Sequence, residues 1–473
     1  MGVGCAEPET FATPSDLVLS LASVGQVGDQ LLSRRVVAEF SSAWATELTC
    51  TFGDQSLSVA APLATSATFD LFGLLADEPL ACALQAAGGD RDGPLGELEV
   101  DGPVLIGASP VTFVTEAAGY DAGWVTFNHT LREVDGPHRA FVVDGQGRPR
   151  WVRALDAASV SSDIGVELAW ASGEVLVGGG QLTEVTRLAV DGRPVWTSAP
   201  STVGNYHHDA AYDETTSVTT ALREAPVLLD GVEYLGFQVV ELRADGSEAV
   251  AFDAQWAVDA RTLAAKVPTD GSDVWHANAM AWVDDAWGRA LWVSLKSFNA
   301  LIRIQEGELT HVLGVDGDVA LVGAGGNELA PEAWFYDQHG PDYWTEDDGL
   351  HVLVYDNGVG RAGAKASRVV EMVVDLDGRT ATPIWVFDGG PADWYTPLWG
   401  DVDRVSDAEV LVARGHCQNC LGIDPDERSE IQVVDAGGED VLWSMRFVDP
   451  ADAVYRAQVT PHCPWEAVAP CPQ

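Results

Sequence analysis

The chain has 473 residues, with 26 Lys and Arg against 72 Asp and Glu, and its formal charge is −46. This length exceeds the usual single domain and allows a large core. The apolar content of 47% argues against disorder, and the scarcity of cations argues against binding to nucleic acids or to anionic membranes. No apolar run reaches the roughly 18 residues that a transmembrane helix needs.

The N-terminus, Met1-Gly2-Val3-Gly4-Cys5, lacks the charged and apolar stretches of a secretory signal. Small residues that end in a cysteine are typical of the last part of a bacterial lipoprotein signal. Residues 1–13 are therefore interpreted as a leader remnant, and Cys5 is the candidate for acylation. This interpretation predicts an exported protein, periplasmic or on the cell surface, that is anchored by a lipid.

Residues 14–104 are predicted to form a small β-sandwich. Six segments of strand length alternate apolar and polar residues between turn signals, and they are 16–24, 36–42, 47–52, 57–63, 67–75 and 80–85. The stretch from Leu71 to Leu84 resembles the late strands of fibronectin type III-like and immunoglobulin-like modules. A disulfide between Cys50 and Cys82 is expected to join two of these strands.

The seven cysteines agree with export. Cys417 and Cys420 form a C-x-x-C, and Cys463 and Cys471 lie near the C-terminus. Three disulfides together with one acylated cysteine account for the odd number. The alternative for Cys417 and Cys420, which follow His416, is half of a zinc site, although no second C-x-x-C completes it.

From residue 105 to residue 473 one unit recurs, made of a strand, an Asp-Gly-type turn and a second strand with a Trp or other apolar residue. The six copies are 141–151, 188–196, 240–252, 301–312, 373–385 and 433–443. A further strand pair precedes each copy. Four strands per unit with tight hairpins are typical of a propeller blade, so the sequence predicts an all-β chain with a six-bladed β-propeller. A large sandwich or barrel is the alternative.

Histidines recur at one position in successive units, just before an inner strand. They are His207 and His208, then His276, then His339. Equivalent positions in different blades face the same central channel, so these side chains are predicted to meet at one axial site. Alternation along a strand predicts that only one of His207 and His208 faces the channel.

The sequence blocks around these histidines are specific. Residues 275–279 read Trp-His-Ala-Asn-Ala, the block 291–304 follows, and Asp-Gln-His at 337–339 leads to Val-Tyr-Asp-Asn-Gly at 354–358. These blocks resemble the bacterial arylsulfate sulfotransferases over residues 105–473, and the N-terminal module matches the layout of that family. The resemblance implies a six-bladed propeller that moves a sulfuryl group from an aryl sulfate ester to a phenol. It implies no nucleotide sulfate donor, no cofactor and no metal.

The resemblance also implies roles for individual residues in a ping-pong mechanism through a covalent sulfohistidine. His339 is expected to be the nucleophile. His276 and Asn278, two positions apart in an extended segment, are expected to aim N–H donors at the sulfuryl oxygens. His208 is expected to carry the phenolic proton, and His207 is the alternative.

Lys296 occupies the position where the family pattern has Arg, which keeps the charge but loses the planar two-pronged grip on an oxyanion. Asp356 and Asn357 resemble the family's Asp-Asn-Gly turn and are interpreted as structural, shaping the return from the blade of the nucleophile. Asn357 and Arg361 are also candidate substrate contacts at the channel rim. Trp394 and Tyr395 offer a surface on which an aryl ring stacks, or they seal adjacent blades.

Two other functions remain open. One is a surface propeller that binds without turnover, which the change to Lys296 would favour, and the other is hydrolysis or lysis of a different anionic ester or sugar in the same channel.

Lys296 is one of three lysines in the chain. We expect this scarce cation to lie with the clustered histidines, inside a shell of carboxylates, because an anionic substrate needs a local positive pocket in so acidic a protein.

Overall fold

The computed structural model of the chain describes residues 19–27, 30–87, 93–103, 113–117, 120, 122–131, 138–155, 166–171, 173–179, 182–259, 275–363, 365–389, 394–415, 428–437, 440–460 and 462–472. The chain divides into two compact units. The first comprises Met1–Gly107, Pro149–Val152 and Trp465–Gln473, and the second comprises Ala108–Arg148 and Arg153–Pro464. The predicted leader with Cys5, and the segment with His416, Cys417 and Cys420, lie outside the described residues.

The first unit contains an antiparallel sheet. Its strands are β1 (Leu19–Val27), β2 (Gln30–Phe52), β3 (Gln55–Phe72), β4 (Leu80–Ala86) and β5 (Gly93–Val100). The order is β1-β2-β4-β5, and β3 also pairs with β2. The sequence predicted two strands, 36–42 and 47–52, where β2 is continuous and only its register against β3 shifts, between Glu39 and Trp44 and again between Trp44 and Thr46. Because β2 has 23 residues, its first half pairs with β1 and its second half with β4, and a β-sandwich is not confirmed.

The buried face of this sheet follows from alternation of apolar and polar residues. In β4 every second residue is buried, including Cys82 and Leu84. Cys82 lies directly opposite Cys50 in the register, and the two form the predicted disulfide. Cys463 and Cys471 are also disulfide-bonded. The described cysteines are therefore oxidised.

The second unit begins with short strands and tight turns. In chain order the elements are β6 (Phe113–Ala117), β7 (Trp124–Leu131), β8 (His138–Asp144), β9 (Pro149–Leu155), β10 (Val166–Ala171), β11 (Glu174–Gly179), β12 (Thr186–Ala189), β13 (Pro194–Thr197), β14 (Tyr206–Asp213), β15 (Val218–Leu229), β16 (Val232–Arg243), β17 (Glu248–Asp253) and α1 (Ala254–Asp259). Strand β9 is divided between the two units.

The remaining elements continue the same pattern. They are β18 (Ala277–Asp285), β19 (Gly288–Leu295), a 3-10 helix (Lys296–Phe298), β20 (Ala300–Gln305), β21 (Glu308–Gly314), β22 (Ala320–Leu321), a second 3-10 helix (Pro331–Ala333), β23 (His339–Glu346), β24 (Gly349–Asp356), β25 (Arg368–Asp375), β26 (Thr380–Phe387), β27 (Asp401–Ser406), β28 (Glu409–Arg414), β29 (Glu430–Asp435), β30 (Val441–Phe447) and β31 (Asp452–Thr460). Among the described residues, no helix has the length and apolar character needed to cross a membrane.

These strands form successive sheets that are almost entirely antiparallel. The orders are β10-β11-β12-β13, β14-β15-β16-β17, β18-β19-β20-β21, β22-β26-β25-β24-β23 and β27-β28-β29-β30-β6, and another sheet contains β31-β7-β8. The C-terminal strand β31 thus pairs with β7, and β6 pairs with β30, so both ends of the unit meet in its last sheets. This is an all-β arrangement.

One edge strand of each sheet lies beside an edge strand of the next sheet. β10 contacts β14, and the contacts continue through β18, β23, β27 and β31 back to β10. We call these six the inner strands. A closed ring of strands is consistent with a propeller-like fold.

The outer hairpins follow from local sequence. Each predicted Asp-Gly-type repeat that lies wholly in the second unit corresponds to an antiparallel pair: β12–β13, β16–β17, β20–β21, β25–β26 and β29–β30. At Glu306 and Gly307 both φ angles are positive, as a type I′ turn requires. At Asp245 the carboxylate accepts the Ser247 N–H at 2.9 Å, and Gly246 has a φ of 83°. Apolar side chains of neighbouring sheets then pack together, which fixes each inner strand against the next.

Candidate functional site

The predicted histidines lie where three inner strands begin. His207 and His208 are the second and third residues of β14, His276 directly precedes β18, and His339 is the first residue of β23. His208 and His276 have φ angles of 58° and 47°. Left-handed backbone at residues other than glycine costs about 1–3 kcal/mol and concentrates at functional sites.

The same inner strands have irregular pairing near these residues. Register shifts fall within 206–210 of β14, 277–279 of β18, 339–342 of β23 and 454–457 of β31. A shift of this kind leaves a residue outside the ladder and changes the direction of its side chain. The irregular starts of the inner strands therefore present polar side chains that a regular strand would direct elsewhere.

The structure brings the four histidines and a tyrosine of β31 together. A hydrogen bond joins the Nδ1 atoms of His207 and His208, 2.8 Å apart. The His208 ring centroid lies 4.8 Å from that of His276 and 6.3 Å from that of Tyr455, and the His339 centroid lies 6.4 Å from that of Tyr455. The expectation that only one of His207 and His208 faces the site is wrong, because the left-handed backbone at His208 breaks the alternation.

A buried amide holds His339. The Oδ1 atom of Asn357 is 2.8 Å from Nδ1 of His339, while its Nδ2 atom donates to the carbonyl oxygens of Thr396 at 2.7 Å and Trp399 at 2.8 Å. Both carbonyl oxygens are acceptors, so the NH₂ group must face them and Oδ1 must face the imidazole. The His339 Nδ1 therefore carries the proton, and its Nε2 carries the lone pair.

Burial keeps two of the histidines neutral. It lowers the pKa of His339 well below its usual value, and the charge of Lys296 lowers it further. Burial also lowers the pKa of His208 well below its usual value, followed by the effects of His276 and His207. Near neutral pH both imidazoles are therefore in the form that can attack an electrophile or accept a proton.

The scarce cation Lys296 lies with the histidines. Its Nζ is 3.2 Å from Oδ2 of Asp337, and its backbone N–H donates to the His276 carbonyl at 3.1 Å. Burial raises the pKa of Asp337, and Lys296 opposes this. The Lys296 charge that acts on His339 is thus shared with a carboxylate.

Asn278 is less available than the sequence suggested. It is fully buried, and its Nδ2 donates to the Gln338 carbonyl at 2.7 Å. At least one of its two N–H donors is therefore committed to the residue that precedes His339. The hydrogen bond links β18 to the residue that precedes β23, and the expectation that Asn278 also aims a donor at a substrate stays a prediction.

Arg456 on β31 is a site residue that sequence reasoning missed. Its Nη1 lies 3.2 Å from Oδ2 of Asp209, and its Nη2 donates to the Asn278 carbonyl at 2.7 Å. Its charge contributes to the lowered pKa of both His208 and His339. The sequence blocks around the histidines gave no signal for it, because the C-terminal strand reaches the site only when it pairs with β7.

Carboxyl groups adjoin the cluster, as expected for an acidic chain. Burial raises the pKa of Asp342 on β23. Burial, followed by the charge of Asp342, raises the pKa of Asp403 on β27 to about 8, and Arg456 opposes this. Asp209 pairs with Arg456 and Asp337 with Lys296, so carboxylates lie beside both cationic groups, and a complete shell stays a prediction.

Asn357 and Arg361, the two candidate substrate contacts at the channel rim, form hydrogen bonds and ion pairs with other residues of the protein. Asn357 is fully buried against His339. Arg361 pairs with the buried Asp356, and its Nη2 donates to the Ala366 carbonyl. The polar groups of Asn357 and Arg361 thus hold the turn that follows β24, and their assignment to substrate binding stays a prediction.

The two aromatic candidates differ from each other. Trp394 is 2% exposed, and its Nε1 donates to the Tyr355 hydroxyl at 3.0 Å within an apolar core, so it seals the sheets and offers no stacking surface. Tyr395 is half-buried, and the Nζ of Lys365 lies 5.5 Å from its ring centroid. Burial, followed by the charge of Asp337, raises the pKa of Tyr395.

A comparison with protein families finds one match. The family model described as Arylsulfotransferase (ASST) matches residues 108–456, which is most of the chain and includes every described site residue. No curated protein matches the chain.

Solved structures resemble the chain only weakly. One is the nidogen/laminin complex, with 10% identity and a TM-score of 0.35, covering 72% of this chain and 100% of that chain. Another is dihydro-heme d1 dehydrogenase NirN in complex with DHE, with 12% identity, a TM-score of 0.33, and coverage of 72% and 76%. Apo AztD from Citrobacter koseri has 11% identity and a TM-score of 0.27, with coverage of 88% and 98%. At such TM-scores these likenesses support no conclusion.

Proposed function

We propose that this chain, which belongs to the arylsulfotransferase family, moves a sulfuryl group from an aryl sulfate ester to a phenol through a covalent intermediate on His339. The observation that carries the proposal is the Asn357 amide, whose orientation leaves the lone pair of His339 on Nε2. The closed ring of inner strands supports a six-bladed propeller as the scaffold.

In the first half-reaction, Nε2 of His339 attacks the sulfur of the aryl sulfate. The N–S bond forms as the S–O bond to the aryl group breaks, and the phenolate leaves with that electron pair and takes a proton from solvent. Asn357 accepts the Nδ1–H throughout, so the positive charge that develops on the imidazole faces an amide oxygen. No metal or cofactor enters this step.

In the second half-reaction, a phenol attacks the same sulfur from the site of the departed phenolate. His208, which burial keeps neutral, accepts the phenolic proton as the new O–S bond forms. The N–S bond breaks, and its electron pair returns to Nε2 of His339. The protonated His208 then releases its proton to solvent, which restores the neutral imidazole that burial and His207 favour.

Cationic groups stabilise the charge on the sulfuryl oxygens. The charges of Lys296 and Arg456 both act on His339, and the ring of His276 lies 4.8 Å from that of His208. Lys296 supplies charge without the two-pronged geometry of the Arg in the family pattern. We therefore assign part of the oxyanion stabilisation to Arg456, which comes from a different strand.

Disulfides support an oxidising, exported location for the protein. Small aryl sulfates and phenols are the partners that the family implies. The rival function is a propeller that binds such anions without turnover, and the Lys296–Asp337 ion pair favours it, because the carboxylate offsets the charge available to a sulfate.

The first experiment separates these functions. A chromogenic aryl sulfate is incubated with the wild-type chain, with His339→Ala and with His462→Ala, with and without added phenol. His462 is an exposed histidine outside the cluster and serves as the matched control. We expect phenol-dependent release of the chromophore by wild type and by His462→Ala, and none by His339→Ala. Absence of release by folded wild type would favour the binding module, and phenol-independent release would favour hydrolysis.

A further inference from the structure

Three metal-ligating side chains meet at the hairpin between β23 and β24. They are Glu346, Asp348 and His351, and their ligand atoms all lie within 4.8 Å of one another. The hairpin lies at the opposite end of β23 from His339, so this cluster is separate from the sulfotransferase site. The family resemblance implied no metal, so this cluster was not predicted from the sequence.

The register of the hairpin explains why these residues converge. Trp344 lies directly opposite His351, and Glu346 lies opposite Gly349. Residues two apart in a strand share a face, so Glu346, Trp344 and His351 lie on one side of the hairpin. Asp348, in the turn itself, completes the group.

The separations suit a small divalent ion. The Nε2 atom of His351 is 2.9 Å from an Asp348 carboxylate oxygen and 3.9 Å from one of Glu346. Two ligands about 2.1 Å from a tetrahedral zinc ion lie about 3.4 Å apart. The observed separations bracket this value, so shifts of about half an ångström, within the freedom of exposed carboxylate side chains, would complete the geometry.

His351 has the carboxylate partner on its second ring nitrogen that metal-binding histidines usually have. Its Nδ1 is 2.9 Å from Oε1 of Glu371, a buried carboxylate whose other oxygen is 3.4 Å from Nη1 of Arg404. A carboxylate on one ring nitrogen directs the other nitrogen at the ion and raises its basicity. The Trp344 ring stacks on His351 with centroids 5.0 Å apart, and its Nε1 donates to Glu346 at 2.8 Å.

We propose that Glu346, Asp348 and His351 form a binding site for Zn²⁺ or a similar transition-metal ion. Imidazole favours such ions over Ca²⁺ and Mg²⁺, and two carboxylates match the charge of the ion. The carboxylate oxygens and Nε2 supply three ligands and leave the remaining position to water. At the closed end of an inner-strand hairpin, the ion holds β23 against β24 and plays no part in sulfuryl transfer.

The test is a titration of Zn²⁺ into the chelator-treated full chain, followed by calorimetry, in the presence of excess Ca²⁺. The decisive variants are Asp348→Asn and His351→Gln, and the matched control is Asp347→Asn. Asp347 is an exposed carboxylate in the same turn that lies outside the cluster, so its substitution changes the charge equally. We expect wild type and Asp347→Asn to bind one equivalent, and the decisive variants to bind at least tenfold more weakly.

The C-x-x-C at Cys417 and Cys420 requires a separate control. Replacing Zn²⁺ with Co²⁺ gives thiolate-to-cobalt charge-transfer absorption if cysteines bind the metal and only ligand-field bands if the hairpin does. Asp348 is 64% exposed, so Asp348→Asn is expected to fold even if His351→Gln does not. Equal weakening by Asp347→Asn and Asp348→Asn would mean diffuse attraction of cations to an acidic surface. That result, or the absence of saturable binding by wild type, would overturn the proposal.

Discussion

The two ends of one sheet differ in kind. The outer hairpins close in exposed turns, although each of them also has a register shift, while the inner strands begin with left-handed histidines and buried polar groups. In the sheet of β14 to β17, Gly246 closes an exposed outer turn, and His208 occupies left-handed backbone in the buried site. The turn residues of the outer ends follow from local sequence, whereas the convergence of the histidines at the inner ends depends on contacts between sheets.

This contrast predicts that substitutions at the inner ends of the sheets change the rate of reaction, whereas substitutions at the outer turns change only stability.

The largest effect on the rate is expected for Asn357→Leu. It removes the acceptor for the Nδ1–H of His339, so the imidazole is free to take the wrong tautomer or orientation. We expect kcat to fall by roughly a thousandfold, as for the loss of a tautomer-fixing group elsewhere, with little change in KM.

Steady-state kinetics with a chromogenic donor measures this effect, and thermal unfolding shows whether the variant is folded. A folded Asn357→Leu protein with near wild-type kcat would show that the buried amide does not set the reactive form of His339.

A smaller effect is expected for Arg456→Met. Arg456 contributes to the lowered pKa of His208 and His339, so its removal lets both pKa values rise. The acid limb of kcat/KM is then expected to move to higher pH, with a loss of roughly 10- to 100-fold in kcat/KM. Arg243→Met is the matched control, because Arg243 pairs with Glu241 on an outer strand. An unmoved pH profile in Arg456→Met would count against its electrostatic role.

The buried histidines also link stability to pH. Because folding lowers their pKa, the unfolded chain takes up protons below about pH 6.5 that the folded chain does not. Each buried histidine therefore lowers the free energy of unfolding as the pH falls, with a slope that approaches about 1.4 kcal/mol per pH unit. The raised pKa values of Asp342 and Asp403 have the opposite effect, because these groups stabilise the folded chain as the pH falls. The contribution of His339 is therefore isolated by comparing wild type with His339→Gln, in which both aspartates are retained.

Denaturant unfolding measures this linkage between about pH 8 and about pH 5. Wild type is expected to lose stability relative to His339→Gln as the pH falls. Parallel curves for the two proteins would mean that His339 is not held neutral by burial.

The smallest effect is expected at an outer turn. Gly246 has a φ of 83°, and a Cβ added there would meet no atom within 4 Å. Gly246→Ala therefore introduces only backbone strain, at about 1 kcal/mol. We expect a lower unfolding midpoint and unchanged sulfotransferase kinetics. Reduced kcat in this variant would contradict the division between inner and outer ends.

The sequence predicted the hairpins and the histidines for different reasons. Asp-Gly turns are local signals, and His276, His339 and Lys296 lie in recognisable blocks. Arg456 was missed because only the closure of the ring brings β31 to the site, and no local pattern reports a contact of that sequence separation. The contacts of Asn278 and Asn357 were not predicted, because their amides bind backbone carbonyls that the sequence does not position.

The same limit applies to the strand pattern. Alternation failed at His207 and His208, where one left-handed residue changes the direction of a side chain. It failed in the first unit too, where β2 continues past a register shift at a place that resembles a turn in sequence.

The central claim is a covalent sulfuryl group on His339. Mass spectrometry of peptides after incubation with an aryl sulfate alone, without phenol, tests it most directly. We expect one sulfuryl adduct on the peptide that contains His339, absent in His339→Ala and removed when phenol is added. An adduct on a peptide containing His208 or His276, or turnover by wild type with no adduct under donor-only conditions, would contradict the account.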